Sequence, residues 1–271
     1  MIIAQVSDLH LTERGVLTFN NTHDSEKSTI DAVKHLNSIS PRPDLILLTG
    51  DVTHNGKIEE YALAAELLSS LRSPFFVVPG NHDDRALMAM TFSPMGALPA
   101  DIHSDSEFLH YTIEDHPVRL IGLDTIIPGQ PQGRLCPRRT AWLASRLAED
   151  PDRPTIIFMH HPPMRTGIRI MDNIRCFETE GMSDLLHHYT NVELILCGHL
   201  HRFVTTVWQR HSVVICPSTA VCVAMDIDNR NYLRLIREPP AILVHIWEPE
   251  VGFITHVSPI GDFPSQSMEP F

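Results

Sequence analysis

Leu45-Ile46-Leu47-Leu48-Thr49-Gly50-Asp51 is a run of branched apolar residues that ends abruptly in Gly-Asp. Short and apolar on both faces, it reads as a strand buried in a parallel sheet that delivers one carboxylate to the open end of that sheet. A Gly-Asp turn without chemistry would look the same in isolation, but the design recurs. Residues 2–6 run into Ser7-Asp8-Leu9-His10, and residues 75–78 into Pro79-Gly80-Asn81-His82-Asp83. Residues 155–159 end on His160-His161-Pro162, and residues 194–197 on Gly198-His199-Leu200-His201. Five apolar strands thus finish on Asp, Asn or His, and in open α/β sheets ligands sit outside the carboxyl ends of the strands.

Those side chains are oxygen and imidazole donors, a set that suits divalent transition metals such as iron, manganese, zinc or cobalt. They suffice for two ions, with Asp51 left to bridge. Two ions roughly 3.5–4 Å apart, sharing a carboxylate and a hydroxide, clamp an in-line displacement at phosphorus. In that scheme Asp8, His10, Asp51 and His201 hold the first ion, and Asp51, Asn81, His160 and His199 the second. Asp8-x-His10 and His199-x-His201 place two side chains on one side of a strand or turn, as a period of two allows. Asn81, neutral where a third carboxylate could stand, leaves its ion more electropositive and favours an anionic substrate. Cysteine is absent from the strand ends, which argues against a structural zinc. His82 follows Asn81 when the ligand set is already complete. It is expected either to touch the substrate phosphate and protonate the departing alkoxide, or to orient Asn81 or Asp83.

A chain of 271 residues is close to the limit for one core. A single domain over 1–260 is expected, with 261–271 as a tail that has little to pack against. Hydrophobic residues at 43% and charged residues at 20% describe an ordinary globular chain. The net charge of −12 disfavours nucleic acid as partner, because phosphate backbones require clustered Lys and Arg. The five cysteines show no CxxC spacing and form an odd set, so a reducing, cytoplasmic compartment is expected. No apolar run approaches the roughly 18 residues of a membrane span, and no basic leader precedes the first strand. Of the 17 histidines, five fall on the strand ends. Among the others, His35, His187 and His188 are expected on helices, and His103, His110 and His116 in a polar stretch.

In order along the chain, the polar stretch 12–24 reads as a loop lining the pocket. Residues 25–39 carry Ile30, Val33, Leu36 and Ile39 at helical spacing before Pro41 and Pro43. A second helix is expected over 58–71, and the β-loop-α repeat implies parallel pairing. From 86 to 105 the pattern weakens around Met88, Met90 and Met95, which read as core filler or a packed cap. Strands are expected at 108–113 and 118–123, the latter followed by Asp124 in structural duty, and a helix at 137–148 with proline in its first turn. The segment 162–177 is irregular and carries Arg165, Arg169 and Arg175, either facing a substrate phosphate or solvated. Beyond His201 the period becomes two, predicting antiparallel strands at 203–208, 213–216, 233–236, 241–246 and 253–257, which would form a second sheet packed on the first.

Asp8-x-His10, Gly50-Asp51, Gly80-Asn81-His82-Asp83, His160-His161-Pro162 and Gly198-His199-x-His201 resemble, in order and spacing, the five signatures of the calcineurin-like metallophosphoesterase superfamily. The resemblance covers roughly residues 1 to 205. It implies a four-layer α/β/β/α sandwich of two mixed sheets flanked by helices, with two divalent metal ions at the carboxyl ends of the strands. It also implies a phosphodiesterase acting on a small-molecule phosphodiester, and a homo-oligomer. Met159-His160-His161-Pro162-Pro163 and Glu238-Pro239-Pro240-Ala241 look like the class III cyclic nucleotide phosphodiesterases, which makes 3′,5′-cyclic nucleotides the leading substrates. Bacterial glycerophosphodiesterases are similar as well. Some of them carry a histidine in the loop that is Pro217-Ser218-Thr219-Ala220-Val221 here. Purple acid phosphatases place a tyrosine ligand three residues after the Gly-Asp aspartate; that position is His54, so a ferric-tyrosinate centre is not expected. Some superfamily members have lost ligands and act as protein-binding scaffolds, and the complete ligand set here argues for an enzyme.

Overall fold

The computed structural model describes residues 1–99, 102, 107–228, 232–264 and 266. His103 and most of the 261–271 tail lie outside the described residues. The chain begins with β1 (Ile2–Val6), α1 (Ser25–Ser38), β2 (Leu45–Leu48), α2 (Ile58–Leu68), β3 (Phe75–Val77) and α3 (Arg85–Phe92). There follow β4 (Tyr111–Ile113), β5 (Arg119–Leu123), β6 (Gly133–Arg134), α4 (Pro137–Glu149), β7 (Thr155–Met159), α5 (Arg169–Asp172), β8 (Cys176–Phe177) and α6 (Glu180–Leu186). Among the described residues of the last third, the regular elements are strands: β9 (Val192–Cys197), β10 (Val204–Trp208), β11 (His211–Ile215), β12 (Cys222–Val223), β13 (Leu235–Ile236), β14 (Ala241–Glu248) and β15 (Gly252–Pro259).

Two mixed sheets carry the fold. The first runs β15-β14-β1-β2-β3 and the second β10-β11-β9-β7-β5-β4. Period-two alternation in the second sheet sorts its side chains into two apolar layers. Leu120, Ile156, Phe158, Leu194, Leu196 and Val214 join the core shared with the first sheet and α1, α2 and α3. Ile121, Ile157, Met159, Ile195, Cys197 and Val213 instead pack with Leu143 and Leu147 of α4 and Met182 and Leu186 of α6. The result is the four-layer α/β/β/α sandwich. Between the sheets, Gln5 makes a polar tie: its Nε2 donates to the Cys197 carbonyl (2.9 Å) and the Thr49 hydroxyl (3.0 Å). Among the described residues no helix is long and apolar enough to cross a membrane.

The strands beyond His201 do not form the second sheet by themselves. Hairpin β10–β11 extends it by pairing β11 parallel to β9, while hairpin β14–β15 extends the first sheet, with β14 antiparallel to β1. Alternation identifies a half-buried hairpin but not the unpaired edge it will cover. Other differences are local. Helix α3 lies in the stretch where the pattern weakens; Asp84 caps it by accepting from the Leu87 amide (2.9 Å), and Met88, Ala89 and Phe92 are buried. Met88 is core and Met90 is exposed. The strand expected at 108–113 is reduced to β4 because side chains replace the ladder: the Leu109 amide donates to Asp124, and the Asp124 amide to Nδ1 of His110. Asp124 also receives a bidentate pair from Arg85 (2.6 and 2.9 Å), which gives it a structural duty. Helix α2 stops at Leu68, and α6 ends before His187 and His188. The irregular segment 162–177 holds the single turn α5 and the short β8.

His245 of β14 is fully buried, its Nε2 donating to Gln5 (3.1 Å) and its Nδ1 accepting from the Thr255 hydroxyl (2.8 Å). Burial pushes this imidazole down to about 3, whereas in the unfolded chain it titrates near 6.5. Between those values the unfolded chain binds more protons, so stability is complete above pH 6.5 and falls as pH is lowered. The share lost from this residue by pH 5 is ~2 kcal/mol. In chelator-treated protein, His245→Gln should reduce the difference in unfolding free energy between pH 7 and pH 5 by that amount. An unchanged pH dependence would mean that the folded state protonates His245 freely.

Candidate metal centre

The loops after β1 and β2 run side by side. The Asp8 amide donates to the Gly50 carbonyl (3.1 Å), the His10 amide to the Asp51 carbonyl (2.9 Å) and the Leu11 amide to the Val52 carbonyl (3.0 Å). Five residues of the site lie in the left-handed backbone region: Asp8 (φ 56°), His10 (47°), Asp51 (50°), His199 (70°) and His201 (54°). Asp and His tolerate that region better than most side chains, and residues held there cost about 1–3 kcal/mol each and gather at functional sites. The paired side chains of Asp8-x-His10 and His199-x-His201 are therefore brought together by left-handed turns past the strand ends rather than by extended strand. Two glycines are required by close approach. A Cβ on Gly80 would lie 2.2 Å from Oδ1 of Asp51, and one on Gly198 2.1 Å from Oγ of Ser7.

The structure brings one donor atom from each of Asp8, His10, Asp51 and His201 within 4.8 Å of one another, all four residues buried. Oδ2 of Asp51 lies 3.5 Å from Nε2 of His10 and 3.4 Å from Nε2 of His160, between the donors contributed by the two sheets. Its Oδ1 is held by the backbone amide of His82 (2.8 Å). Oδ1 of Asn81 is 3.2 Å from Nε2 of His160, and the rings of His160 and His199 are 5.1 Å apart. The His199 amide donates to both oxygens of Asp8 (3.1 Å each). Asn81 and His82 are partly exposed at the mouth of an otherwise buried cluster.

Hydrogen bonds on the outer nitrogens define the tautomers. His160 Nδ1 donates to the Thr49 carbonyl (2.8 Å), His201 Nδ1 to the Val221 carbonyl (2.8 Å) and His199 Nε2 to the Ile174 carbonyl (3.0 Å). In their neutral forms, His160 and His201 then present lone pairs on their inner nitrogens to the oxygens of Asp51, Asn81 and Asp8. Nε2 of His10 and Nε2 of His201 are 2.9 Å apart. Such a convergence of acceptors is unfavourable unless positive charge joins it, and anchored outer nitrogens are how proteins orient metal-binding imidazoles. The donor set fits divalent cations.

The family model described as calcineurin-like phosphoesterase matches residues 1–203. The chain belongs to this family. Among its relatives is a probable glycerophosphodiester phosphodiesterase, GpdQ, of Arcobacter nitrofigilis, 38% identical over 97% of this chain and 94% of that protein. Another is the 3′,5′-cyclic adenosine monophosphate phosphodiesterase CpdA of Escherichia coli, 28% identical over 81% of this chain and 76% of that protein. A dimetal phosphatase from Danio rerio shares the fold, with a TM-score of 0.65 at 12% identity, over 96% of this chain and 99% of that one.

Carboxylates and imidazoles face one another at the cluster of this calcineurin-like phosphoesterase. Burial works against an ionised Asp51, yet His160, His82 and His10 beside it hold its carboxyl well below the ordinary range. Burial likewise opposes a charged His160, but Asp51 outweighs it and raises that imidazole. Desolvation lowers His199 to about 3. Asp83 is a buttress: it accepts from the amides of Val52, Thr53 and Gly80, the Thr53 hydroxyl and the Tyr61 phenol. Burial and the neighbouring Asp51 push its carboxyl up to about 6.

His82 orients neither Asn81 nor Asp83 through its ring; Nδ1 donates to the His54 carbonyl (2.8 Å), and the ring lies 4.7 Å from that of His10. Three further residues join the site beyond the expected ligand set. His161 packs against His160 and His199 but spends both nitrogens, on the Thr125 hydroxyl (2.8 Å) and the Pro131 carbonyl (3.2 Å). Phe19, in the 12–24 loop, sets an edge on His10 at 5.2 Å. His54 lies 3.2 Å from Nδ1 of His10; its place three residues after Asp51 was the available signal. Arg165, Arg169 and Arg175 line a surface cavity of about 270 Å³ with Asp172 and Asn173.

Proposed function

We propose that the chain is a dinuclear metal-dependent phosphodiesterase. The observation that carries the proposal is the seat of Asp51 Oδ2 between His10 and His160, where one carboxylate can serve two ions. Asp8, His10, Asp51 and His201 would hold one ion, and Asp51, Asn81, His160 and His199 the other, as iron, manganese, zinc or cobalt. Bound there, the ions supply the Lewis acidity that neutralises phosphoryl charge and lowers the pKa of water. The remaining work falls to the side chains. Asn81 adds no charge and so leaves the mouth of the site receptive to an anion. His82, its Nδ1–H committed to the His54 carbonyl, would act as the imidazolium, giving the second proton, on Nε2, to the leaving oxygen and returning to the neutral ring.

The substrate is a small phosphodiester. The motifs favour 3′,5′-cyclic nucleotides, and the E. coli relative is named for that activity. Likeness to the Arcobacter protein over 97% of the chain, late strands included, supports glycerophosphodiesters as a second class. The five cysteines are free thiols, in keeping with a cytoplasmic location. Exposed Val207, Val257 and Met90 offer contact surface for a homo-oligomer.

Metal-loaded protein should turn over cyclic AMP or glycerophosphocholine with a higher kcat/KM than a phosphomonoester of the same alcohol. The order of the two diesters assigns the substrate class. Preference for the monoester, or no turnover at two ions per chain, would overturn the proposal.

A further inference from the structure

His54 occupies the place where purple acid phosphatases carry a tyrosine ligand, and it stands beside the Asp8, His10, Asp51 and His201 cluster, at the outer nitrogen of His10. Its Nδ1 lies 3.2 Å from Nδ1 of His10. Its ring is stacked on that of His82, with centroids 5.2 Å apart and planes 17° from parallel, and Phe19 meets it edge-on at 5.2 Å. Its carbonyl accepts from Nδ1 of His82 (2.8 Å). One residue thus touches both a candidate ligand and the candidate proton donor.

The two nitrogens of His10 face different surroundings. Nε2 points at Asp51 (3.5 Å) and His201 (2.9 Å), and Nδ1 points at His54. A cation on Nε2 requires a lone pair there, so the His10 proton must sit on Nδ1. The acceptor facing that proton is Nδ1 of His54, whose own proton is then on Nε2. Metal-binding imidazoles ordinarily give the outer N–H to a carboxylate, a carbonyl or water; His160, His199 and His201 all use backbone carbonyls. His10 differs in relying on a second imidazole.

We propose that His54 is a positioning residue of the metal centre. Its Nδ1 accepts the hydrogen bond that commits Nε2 of His10 to the cation, and its ring is the platform that fixes the plane of His82. The proposal rests on the reading of His10 as a ligand. It predicts that the two functions of the side chain separate by substitution. His54→Phe keeps an aromatic platform and removes the acceptor, as does the smaller His54→Leu without the platform. His54→Asn retains an acceptor near the Nδ1 position and removes the platform.

The experiment is chelator competition with Zn²⁺ on purified variants, with ion stoichiometry by elemental analysis. It is joined to the ratio of turnover on a cyclic nucleotide to that on bis(p-nitrophenyl) phosphate. His54→Phe and His54→Leu should weaken one ion about 10–100-fold, whereas His54→Asn stays within about threefold of the parent. The turnover ratio should fall in His54→Asn and His54→Leu and hold in His54→Phe. Wild-type affinity in both acceptor-free variants, or equal weakening in His54→Asn, would overturn the positioning role. So would three ions per chain in the parent falling to two on loss of His54, because His10, His54 and His82 would then form a cation site of their own. His10→Ala separates the two layers of inference: if that variant holds both ions as the parent does, the ligand reading itself is wrong. If it loses one while His54→Phe does not, only the role of His54 fails.

Discussion

Asp51→Ala is expected to fold, to retain fewer than two ions per chain, and to lose more activity than any other single ligand substitution. Its Oδ2 stands between Nε2 of His10 and Nε2 of His160, and its Oδ1 is fixed by the His82 amide. On the proposed bridging role, removing the carboxylate would take a bond from each ion and leave their mutual repulsion uncompensated. Loss of one preorganised electrostatic contributor costs roughly 10²–10³-fold in kcat, and a residue that serves two ions should exceed that range. By contrast Asn81→Ala should weaken one ion selectively, with partial recovery on adding metal. Elemental analysis and metal titration check both statements. Two tightly held ions in Asp51→Ala would remove the bridging role.

His82→Ala should keep its full metal content and yet lose roughly 10²–10⁴-fold in turnover of a cyclic nucleotide, the usual contribution of a general acid. The loss should be much smaller on bis(p-nitrophenyl) phosphate. A sugar alkoxide is a strong base and departs with a proton, whereas nitrophenolate leaves without one. The geometry makes the comparison clean, because the His82 side chain is hydrogen-bonded to the His54 carbonyl and not to a candidate ligand. Its backbone amide, which holds Asp51, survives the substitution. Equal losses on both substrates would assign His82 to phosphate binding instead.

The identities at the strand ends were legible because chemistry of this kind leaves a local trace. A buried strand is predominantly apolar, so a carboxylate, amide or imidazole at its end is conspicuous. Gly80 and Gly198 mark places where a Cβ would collide with Asp51 or Ser7. Helix α1 and helix α4 announced themselves in the same way, by apolar spacing and by proline at a first turn.

What tertiary structure alone decided is which distant pieces meet. Hairpins β10–β11 and β14–β15 carry the same alternation, but one covers the edge of β9 and the other the edge of β1. Nothing within a hairpin encodes the edge it will find, since the choice depends on which backbone groups remain unpaired once the other strands have assembled. The left-handed turns at Asp8, His10, Asp51, His199 and His201 are of the same kind. They are locally unfavourable conformations, imposed by loops that hydrogen-bond to one another across the two sheets. His54 was visible as a residue type at a known offset from Asp51. That its Nδ1 faces His10 while its carbonyl holds His82 follows from the packing of three loops that are separate in the chain.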